Sequence, residues 1–178
     1  MTARARFEWT RQPGTGPDIS VLGPLAGRTV VELGCGSGHN LAHLAACQSA
    51  AGIGIDRDPA KIARARDLYG TTPGLSFILA GVPAALAAMP AASADVCLSI
   101  FGALSFSPPG PILAGAARVL RHGGLLAVTL RADDHHDYVT VLRREPGGRA
   151  RDAREAAEKE PAAWPAAGFV PARSSCPG

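Results

Sequence analysis

The chain has 178 residues, of which 47% are hydrophobic, and its formal net charge at pH 7 is +3. This length suits one domain with a core of its own, and the small, dispersed charge excludes a strongly basic nucleic-acid-binding protein. No run of about 18 apolar residues occurs, so we expect no transmembrane helix and no membrane partner. The first residues lack the apolar core of a secretion signal, and we therefore expect a cytoplasmic protein.

Cysteine spacing and the charge pattern exclude two further kinds of site. The four cysteines (Cys35, Cys47, Cys97 and Cys176) include no C-x-x-C pair, so we expect buried free thiols rather than a disulfide or a metal site. Residues 143–160 carry six positive and five negative side chains, which is typical of a solvated surface rather than of a nucleic-acid interface.

Short apolar segments alternate with helical patterns from residue 29 onwards. Continuously apolar strands are typical of a parallel sheet that is covered on both faces. The alternation predicts an α/β fold with a doubly wound, mostly parallel sheet, and a ligand beyond the carboxyl ends of its strands. The predicted strands are 29–33, 52–55, 75–79, 95–100 and 125–130, and the predicted helices are 39–49, 59–69, 82–88 and 111–121.

The first strand runs directly into a glycine-rich turn. The segment VVELGCGSGHN at 30–40 places Gly34, Gly36 and Gly38 at alternate positions, and a helix pattern follows at once. Glycine lets a ligand lie against bare backbone, because no Cβ stands in the way. The dinucleotide-binding fingerprint needs a further glycine where His39 stands. A ligand without a pyrophosphate needs only the close approach.

An acid closes the second predicted strand. Asp56 ends the segment GIGID, 24 residues after Glu32. A carboxylate at this distance from a glycine turn can accept hydrogen bonds from both hydroxyls of a ribose. Asp58 and Pro59 are the residue types preferred at the N-cap and the first position of a helix.

With these motifs the chain resembles the class I S-adenosylmethionine-dependent methyltransferases, whose fold is Rossmann-like. The E-x-G-x-G-x-G pattern at 32–38 matches their first motif, and ADVCLSI at 94–100 resembles their fourth strand. The segment RVLRHGGLLAV at 118–128 resembles their helix–Gly-Gly–strand signature. The segment FEWTRQPGTGP at 7–17 also resembles the leader of a group of small actinobacterial methyltransferases.

The resemblance implies a site for S-adenosylmethionine. Glu32 is expected to hold the ammonium of its methionyl part, and Asp56 the hydroxyls of its ribose. The glycine turn is expected to approach both parts closely. The implied cofactor-binding residues are Glu32, Gly34, Cys35, Gly36, Gly38, Asp56, Arg57, Gly81, Val82 and Ser99.

Two of these residues depart from the family pattern. Val82 stands where many relatives carry an acid that contacts the adenine amino group, and valine cannot accept that hydrogen bond. Weaker cofactor binding, or none, is therefore expected. Arg57 replaces an apolar residue, and its guanidinium either stacks on adenine or points to water.

The residues that would bind the methyl acceptor are less defined by the sequence, and we assign no catalytic residue. Phe101 and Phe106 form either an apolar wall near the reactive methyl or ordinary packing. Phe7 and Trp9 form either a lid or an anchored arm. His135 and His136 are either candidate general bases or loop residues, whereas His39 and His43 are expected to be structural.

We expect an N-terminal arm or lid over residues 1–28 and a methyltransferase domain over 29–178. About 48 residues follow the fifth predicted strand. They offer one helix near 152–159 and one strand near 169–172, so the antiparallel hairpin that ends the family's sheet is expected to be shortened or missing. Either a second copy of the chain or this helix then covers the sheet edge.

The expected function is methyl transfer to a small-molecule acceptor. The Asn-Pro-Pro-aromatic motif of enzymes that methylate amino groups of nucleic acids is absent, since Ser99–Gly102 reads SIFG. One alternative is a non-catalytic S-adenosylmethionine-binding protein or shortened inactive relative, which Val82 and the short C-terminal part favour. The other is a nicotinamide-dependent oxidoreductase, which His39 disfavours.

Overall fold

The computed structural model describes residues 6–131, 137–144 and 169–171. An N-terminal arm (residues 6–17), which contains a turn at 13–14, and a 3₁₀ turn at Ile19–Leu22 precede the first strand. The strands are β1 Thr29–Leu33, β2 Ala51–Asp56, β3 Leu75–Leu79, β4 Ala94–Ile100, β5 Leu120–Arg131, β6 Asp137–Arg144 and β7 Phe169–Pro171. The helices are α1 His39–Gln48, α2 Pro59–Tyr69, α3 Val82–Ala88, α4 Ala103–Phe106 and α5 Pro109–Val119.

The strands form one seven-stranded sheet in the order β3-β2-β1-β4-β5-β6-β7. The first five strands in this order are parallel to their neighbours, whereas β6 and β7 are antiparallel. From β1 the chain adds β2 and β3 toward one edge of the sheet, and from β4 it adds β5, β6 and β7 toward the other edge. The loops that follow these two central strands therefore diverge and leave a crevice between them. The predicted doubly wound α/β fold is confirmed.

Two hydrophobic layers cover the faces of the sheet. Because side chains alternate along a strand, Val30 packs against the arm, α1 and α2, while Val31 packs against α3 and α5. Neighbouring residues of β4 and β5 divide between the same two layers. No helix of the described ranges is long and apolar enough to cross a bilayer.

The C-terminal edge of the sheet decides between the two expected outcomes, a shortened or a missing hairpin, because two antiparallel strands are present there. Strand β6 pairs with β5 from Arg131↔Asp137 to Leu125↔Arg143, and β7 adds three residues beside it. The segment DYVTVLRR at 137–144 is rich in β-branched residues, which favours a strand. The hairpin is therefore not missing, and β7 contributes three described residues to it. The chain itself covers the edge of β5, so the reason for expecting a second copy there is gone.

Strand β5 also begins earlier than predicted. Its register against β4 is interrupted between Ala94 and Val96, and Gly123 adopts a φ of +75° within it. Gly123 and Gly124 indicate a turn in sequence, yet here they form an irregular stretch of strand. The other predicted strands and helices agree with the structure to within two residues. The predicted helix near 152–159 and the histidines at 135 and 136 lie outside the described residues.

Candidate active site

A cavity of about 770 Å³ lies at the carboxyl ends of β1, β2 and β4, in the crevice between the two diverging loops. Small-molecule sites typically occupy about 300–1,000 Å³ at such a position. The lining residues come from the arm, from the loops after β1, β2 and β4 and from the start of α3. They are Glu8, Thr10, Glu32, Gly34, Cys35, Gly36, Ser37, His39, Asn40, Asp56, Arg57, Asp58, Lys61, Gly81, Val82, Pro83, Ile100, Phe101, Gly102, Ala103, Phe106 and Ser107.

The glycine turn is tied to the neighbouring strand and packed against the loop after β4. The N–H groups of Gly34 and Cys35 donate to the carbonyl of Ile55 at 2.8 and 3.0 Å. Gly34 has a φ of +88°, and a Cβ there would lie 2.6 Å from the backbone nitrogen of Ala103. Only glycine satisfies both the backbone angle and the close approach.

Gly36 and Gly38 have different surroundings. Gly36 lines the cavity with a φ of +55°, and apart from its own atoms and those of its two chain neighbours, no heavy atom lies within 4 Å of the position its Cβ would take. Its bare backbone therefore borders open space that a ligand can occupy. Gly38 is buried at the start of α1, where a Cβ would lie 2.5 Å from the ring of Phe77. Gly38 thus serves helix packing and is not among the cavity-lining residues, so its contact with the cofactor stays a prediction.

Asp56 is held in place by backbone hydrogen bonds. Its Oδ2 accepts from the Gly36 N–H and its Oδ1 from the Asp58 N–H, each at 2.9 Å. Asp58 in turn caps α2 by accepting from the N–H groups of Ala60 and Lys61, as its sequence position predicted. Both oxygens of Asp56 keep lone-pair capacity for further donors, because a carboxylate offers about four acceptor positions.

Glu32 lies at the floor of the cavity and is 3% exposed. Its Oε2 is buried without a hydrogen-bond partner among the described residues, and the Asn40 side chain lines the same cavity. Burial, together with the charge of Asp56, raises the pKa of Glu32 from 4.5 to about 8, although the Asn40 side chain opposes that shift. A buried oxygen of this kind is matched by a cationic ligand group, which would favour the ionised carboxylate.

The far side of the cavity is formed by the residues after β2 and β3. Arg57 is exposed and lines this wall. Gly81 is the N-cap residue of α3, and Val82 begins the helix with its side chain buried in the core. Apart from the Arg57 side chain, these residues present backbone and apolar surface, and there is no acid at position 82.

The loop after β4 brings Phe101 and Phe106, but not Ser99, to the cavity lining. Ser99 is fully buried, and its Oγ accepts from the Leu104 N–H at 3.2 Å, so it holds the start of α4 and does not line the cavity. Phe101 lines the cavity with a φ of +46°, an uncommon angle for a residue with a side chain. Phe106 lines the mouth and is 71% exposed, which is high for an aromatic residue.

Of the two alternatives for Phe7 and Trp9, a lid or an anchored arm, the structure agrees with the anchored arm. Phe7 and Trp9 are buried in the core, with ring centroids 4.7 Å apart, and they do not line the cavity. Glu8 and Thr10 line it instead. In an extended segment alternate side chains point to opposite sides, so the two apolar residues anchor the arm while the polar ones reach the site.

Acidic groups dominate the lining. The lining contains four carboxyl groups (Glu8, Glu32, Asp56 and Asp58) and two cationic side chains, those of Arg57 and Lys61. Cys35 also lines the cavity, but burial and the nearby charges of Glu32 and Asp56 raise the pKa of its thiol far above the usual range. The thiol therefore stays protonated, and nucleophilic chemistry at this cysteine is disfavoured. Cys97 is buried like Cys35, whereas Cys47 is exposed, contrary to expectation.

The structure thus brings together eight of the ten predicted site residues and adds others that the motifs did not indicate. Asn40 and Lys61 were within reach of sequence analysis, because they lie one helical turn or less from the predicted contacts. Glu8 and Thr10 could not be predicted from the motifs, because they lie on the arm, which is distant in sequence from the predicted contacts. Their only signal was the alternation of polar and apolar residues at 7–10.

Comparisons with known proteins agree with this geometry. A family model described as a methyltransferase domain matches residues 30–124, just over half of the chain. The comparison with curated proteins gives no match. Among solved structures, a complex of the Haloferax volcanii Trm112 methyltransferase activator with a proposed methyltransferase is 29% identical, with a TM-score of 0.56, and the match covers 61% of this chain and 47% of that chain.

Two further structures share the fold. An arsenic(III) S-adenosylmethionine methyltransferase from Chlamydomonas reinhardtii is 26% identical with a TM-score of 0.51, covering 60% of this chain and 39% of its own. A geranyl diphosphate C-methyltransferase from Streptomyces coelicolor, in complex with S-adenosyl-L-homocysteine, is 13% identical with a TM-score of 0.55. The match covers 63% of this chain and 42% of that chain. The chain thus spans less than half the length of each structure.

The sheet order, the glycine turn after β1 and the acid after β2 define a Rossmann-like, nucleoside-binding α/β domain. Together with the family match, they show that the chain belongs to the class I S-adenosylmethionine-dependent methyltransferase family.

Proposed function

We propose that the cavity binds S-adenosylmethionine and that the chain transfers its methyl group to a small-molecule acceptor. The pair of acids at the ends of β1 and β2, set around the open backbone of Gly36, carries this proposal. Glu32 offers a buried oxygen without a partner, which suits an ammonium group. Asp56 offers a fixed carboxylate, which suits a ribose diol.

Each part of the ligand then has a place. Glu32 holds the methionyl ammonium, Asp56 the ribose hydroxyls, and the backbone of 34–36, including Cys35, borders both. Arg57, Gly81 and Val82 border the adenine. The bound cofactor supplies a methyl group that is carried on a sulfonium. When the acceptor attacks this methyl group, the sulfur leaves as a neutral thioether. The protein contributes orientation of the reactants and exclusion of water, so no fixed general base is required.

We assign residues 29–178 to the methyltransferase domain and residues 1–28 to an arm at its cavity.

Two other functions remain as alternatives. A protein that binds S-adenosylmethionine without catalysis is favoured by Val82, which offers no acceptor to the adenine amino group. An oxidoreductase that binds a nicotinamide dinucleotide is disfavoured by the carboxylates of Glu8, Asp56 and Asp58 in the lining, because these repel a pyrophosphate.

Calorimetric titration with S-adenosylmethionine, S-adenosylhomocysteine and NAD tests the binding proposal. We expect binding of the first two ligands and none of NAD, and preferential NAD binding would contradict the proposal. Turnover is then tested by release of S-adenosylhomocysteine with a panel of small hydroxyl, amine and thiol acceptors. Cofactor binding without turnover across the panel would favour the non-catalytic alternative.

A further inference from the structure

The N-terminal arm is part of the cavity wall, since Glu8 and Thr10 line it. Two anchors hold the arm in place. Phe7 and Trp9 are buried in the core, and Arg11 bonds to Asp137 at the start of β6 through its backbone N–H and its Nε, each at 2.9 Å. Neither anchor touches the cavity, so neither senses whether it is occupied.

Asn40 makes a third attachment, and this one does line the cavity. Its Oδ1 accepts from the Glu8 N–H and its Nδ2 donates to the Glu8 carbonyl, each at 3.1 Å. The same side chain lines the cavity together with Glu32, and it lowers the pKa of that carboxyl group. A side-chain amide has two N–H donors and one carbonyl acceptor, so it can serve both Glu8 and Glu32 at once.

We infer that Asn40 is a positioning residue that couples the N-terminal arm to cofactor binding at Glu32. This inference rests on the proposed function, because it assigns the unpartnered Oε2 of Glu32 to the ammonium of the cofactor. A cation at Oε2 favours the carboxylate form of Glu32, and a hydrogen bond to a carboxylate is stronger than one to a neutral acid. Asn40 is then held more firmly in the orientation that also binds Glu8.

Coupling of this kind is reciprocal. If cofactor binding tightens the arm, then holding the arm tightens cofactor binding by the same factor. The arm would therefore close one side of the cavity more firmly when the cofactor is present. Glu8 and Thr10 would be placed at the cavity for the acceptor that follows.

The test combines affinity with hydrogen exchange at a single amide. We expect S-adenosylhomocysteine to raise the protection of the Glu8 amide in the wild-type chain. In Asn40→Ala the dissociation constant should rise about tenfold, within the usual range for coupled sites. The ligand should no longer change protection at Glu8. A purely structural role would lower protection equally with and without ligand, so the ligand-dependent difference separates the two roles.

Two further variants complete the design. Asn40→Asp keeps an acceptor for the Glu8 N–H but has no donor, and we expect it to lose the coupling as Asn40→Ala does. Gln48→Ala, on the same helix but away from the cavity, should behave as the wild type in both measurements. Circular dichroism confirms that each variant is folded.

The outcomes are distinct. Wild-type affinity in Asn40→Ala and Asn40→Asp, or an unchanged ligand effect at Glu8, would overturn the coupling and leave the proposed function intact. A wild-type chain that does not bind S-adenosylhomocysteine would overturn both.

Discussion

Glu32 and Asp56 occupy the ends of adjacent strands, yet their surroundings differ. Asp56 accepts two backbone hydrogen bonds, whereas Glu32 has one oxygen without a partner in the described part of the chain. The two acids therefore suit different parts of a ligand. The fixed carboxylate suits neutral hydroxyls, and the unpartnered one suits a cation.

Replacing Asp56 tests its role as the ribose ligand. We expect Asp56→Ala to weaken S-adenosylhomocysteine binding by about 1.5–3 kcal/mol, the usual worth of hydrogen bonds to a charged group. Asp95→Ala is the matched control, because Asp95 also accepts a backbone N–H, that of Thr29 at 2.9 Å, but at the opposite end of the sheet. Both variants should lose stability, and only the first should lose affinity in a calorimetric titration. Equal affinities would remove Asp56 from the site.

Glu32 makes the stability of the chain depend on pH. Its pKa of about 8 in the folded chain lies above its ordinary value of 4.5, so its favourable contribution is complete below pH 4.5 and is lost as the pH rises through about 8. Glu32→Gln removes this titration. Thermal unfolding should show that the variant gains stability relative to the wild type as the pH rises from about 4.5 to about 8, with no further gain above that pH. Parallel curves for the two proteins would contradict the raised pKa.

Substitution of Gly36 tests whether the ligand lies against the bare backbone at this position. Gly36→Ala places a methyl group in open space at the cavity, and affinity should fall roughly tenfold, or about 1.4 kcal/mol. Gly27→Ala is the control, since Gly27 has a similar φ of +70° and equally open surroundings, and it precedes β1 at the other end of the sheet. Both changes carry a similar backbone cost, about 1 kcal/mol. A loss of affinity shared by both variants would indicate strain rather than occupancy.

At the scale of elements, the start of α3 contains the clearest departure from the family pattern. Val82→Asp restores an acceptor beside the proposed adenine position, and a carboxylate is also favoured at a helix N-terminus. We expect tighter binding by about 1 kcal/mol and lower stability, because the valine side chain is buried. Val82→Ala loses the packing without adding an acceptor and should not bind more tightly. Weaker binding in a folded Val82→Asp would place adenine elsewhere.

Elements with strong periodic signals were predictable, and those set by pairing were not. The apolar runs of β1 to β4 and the cap at Asp58 define their elements locally. Strand β6 depends on pairing with β5, and the glycines at 123 and 124 indicate a turn unless a neighbouring strand straightens them. Within the site, motif residues such as Glu32 were predictable. The contacts of Asn40 with Glu8 were not, because 32 residues separate them in sequence.

At the scale of the whole molecule, the arm belongs to the same core as the sheet. Trp9 is 2% exposed and packs with residues of β1, α1 and α2. Trp9→Ala should therefore destabilise the whole chain by about 3–5 kcal/mol. Urea unfolding followed by circular dichroism should show a single transition at lower denaturant. Gln12→Ala, at an exposed arm position, should change stability by less than about 0.5 kcal/mol. Unchanged stability in Trp9→Ala would mean that the arm is a free lid.

The contact between the loops after β1 and β4 constrains how the chain can be redesigned. A side chain at Gly34 would strike the backbone of Ala103, and one at Gly102 would strike the Leu33 carbonyl. Random libraries aimed at new acceptors should therefore leave these two codons untouched. Diversity belongs at Phe106 and Ser107, which border the same cavity. Phe106 is the more open position, because most of its side chain already faces solvent.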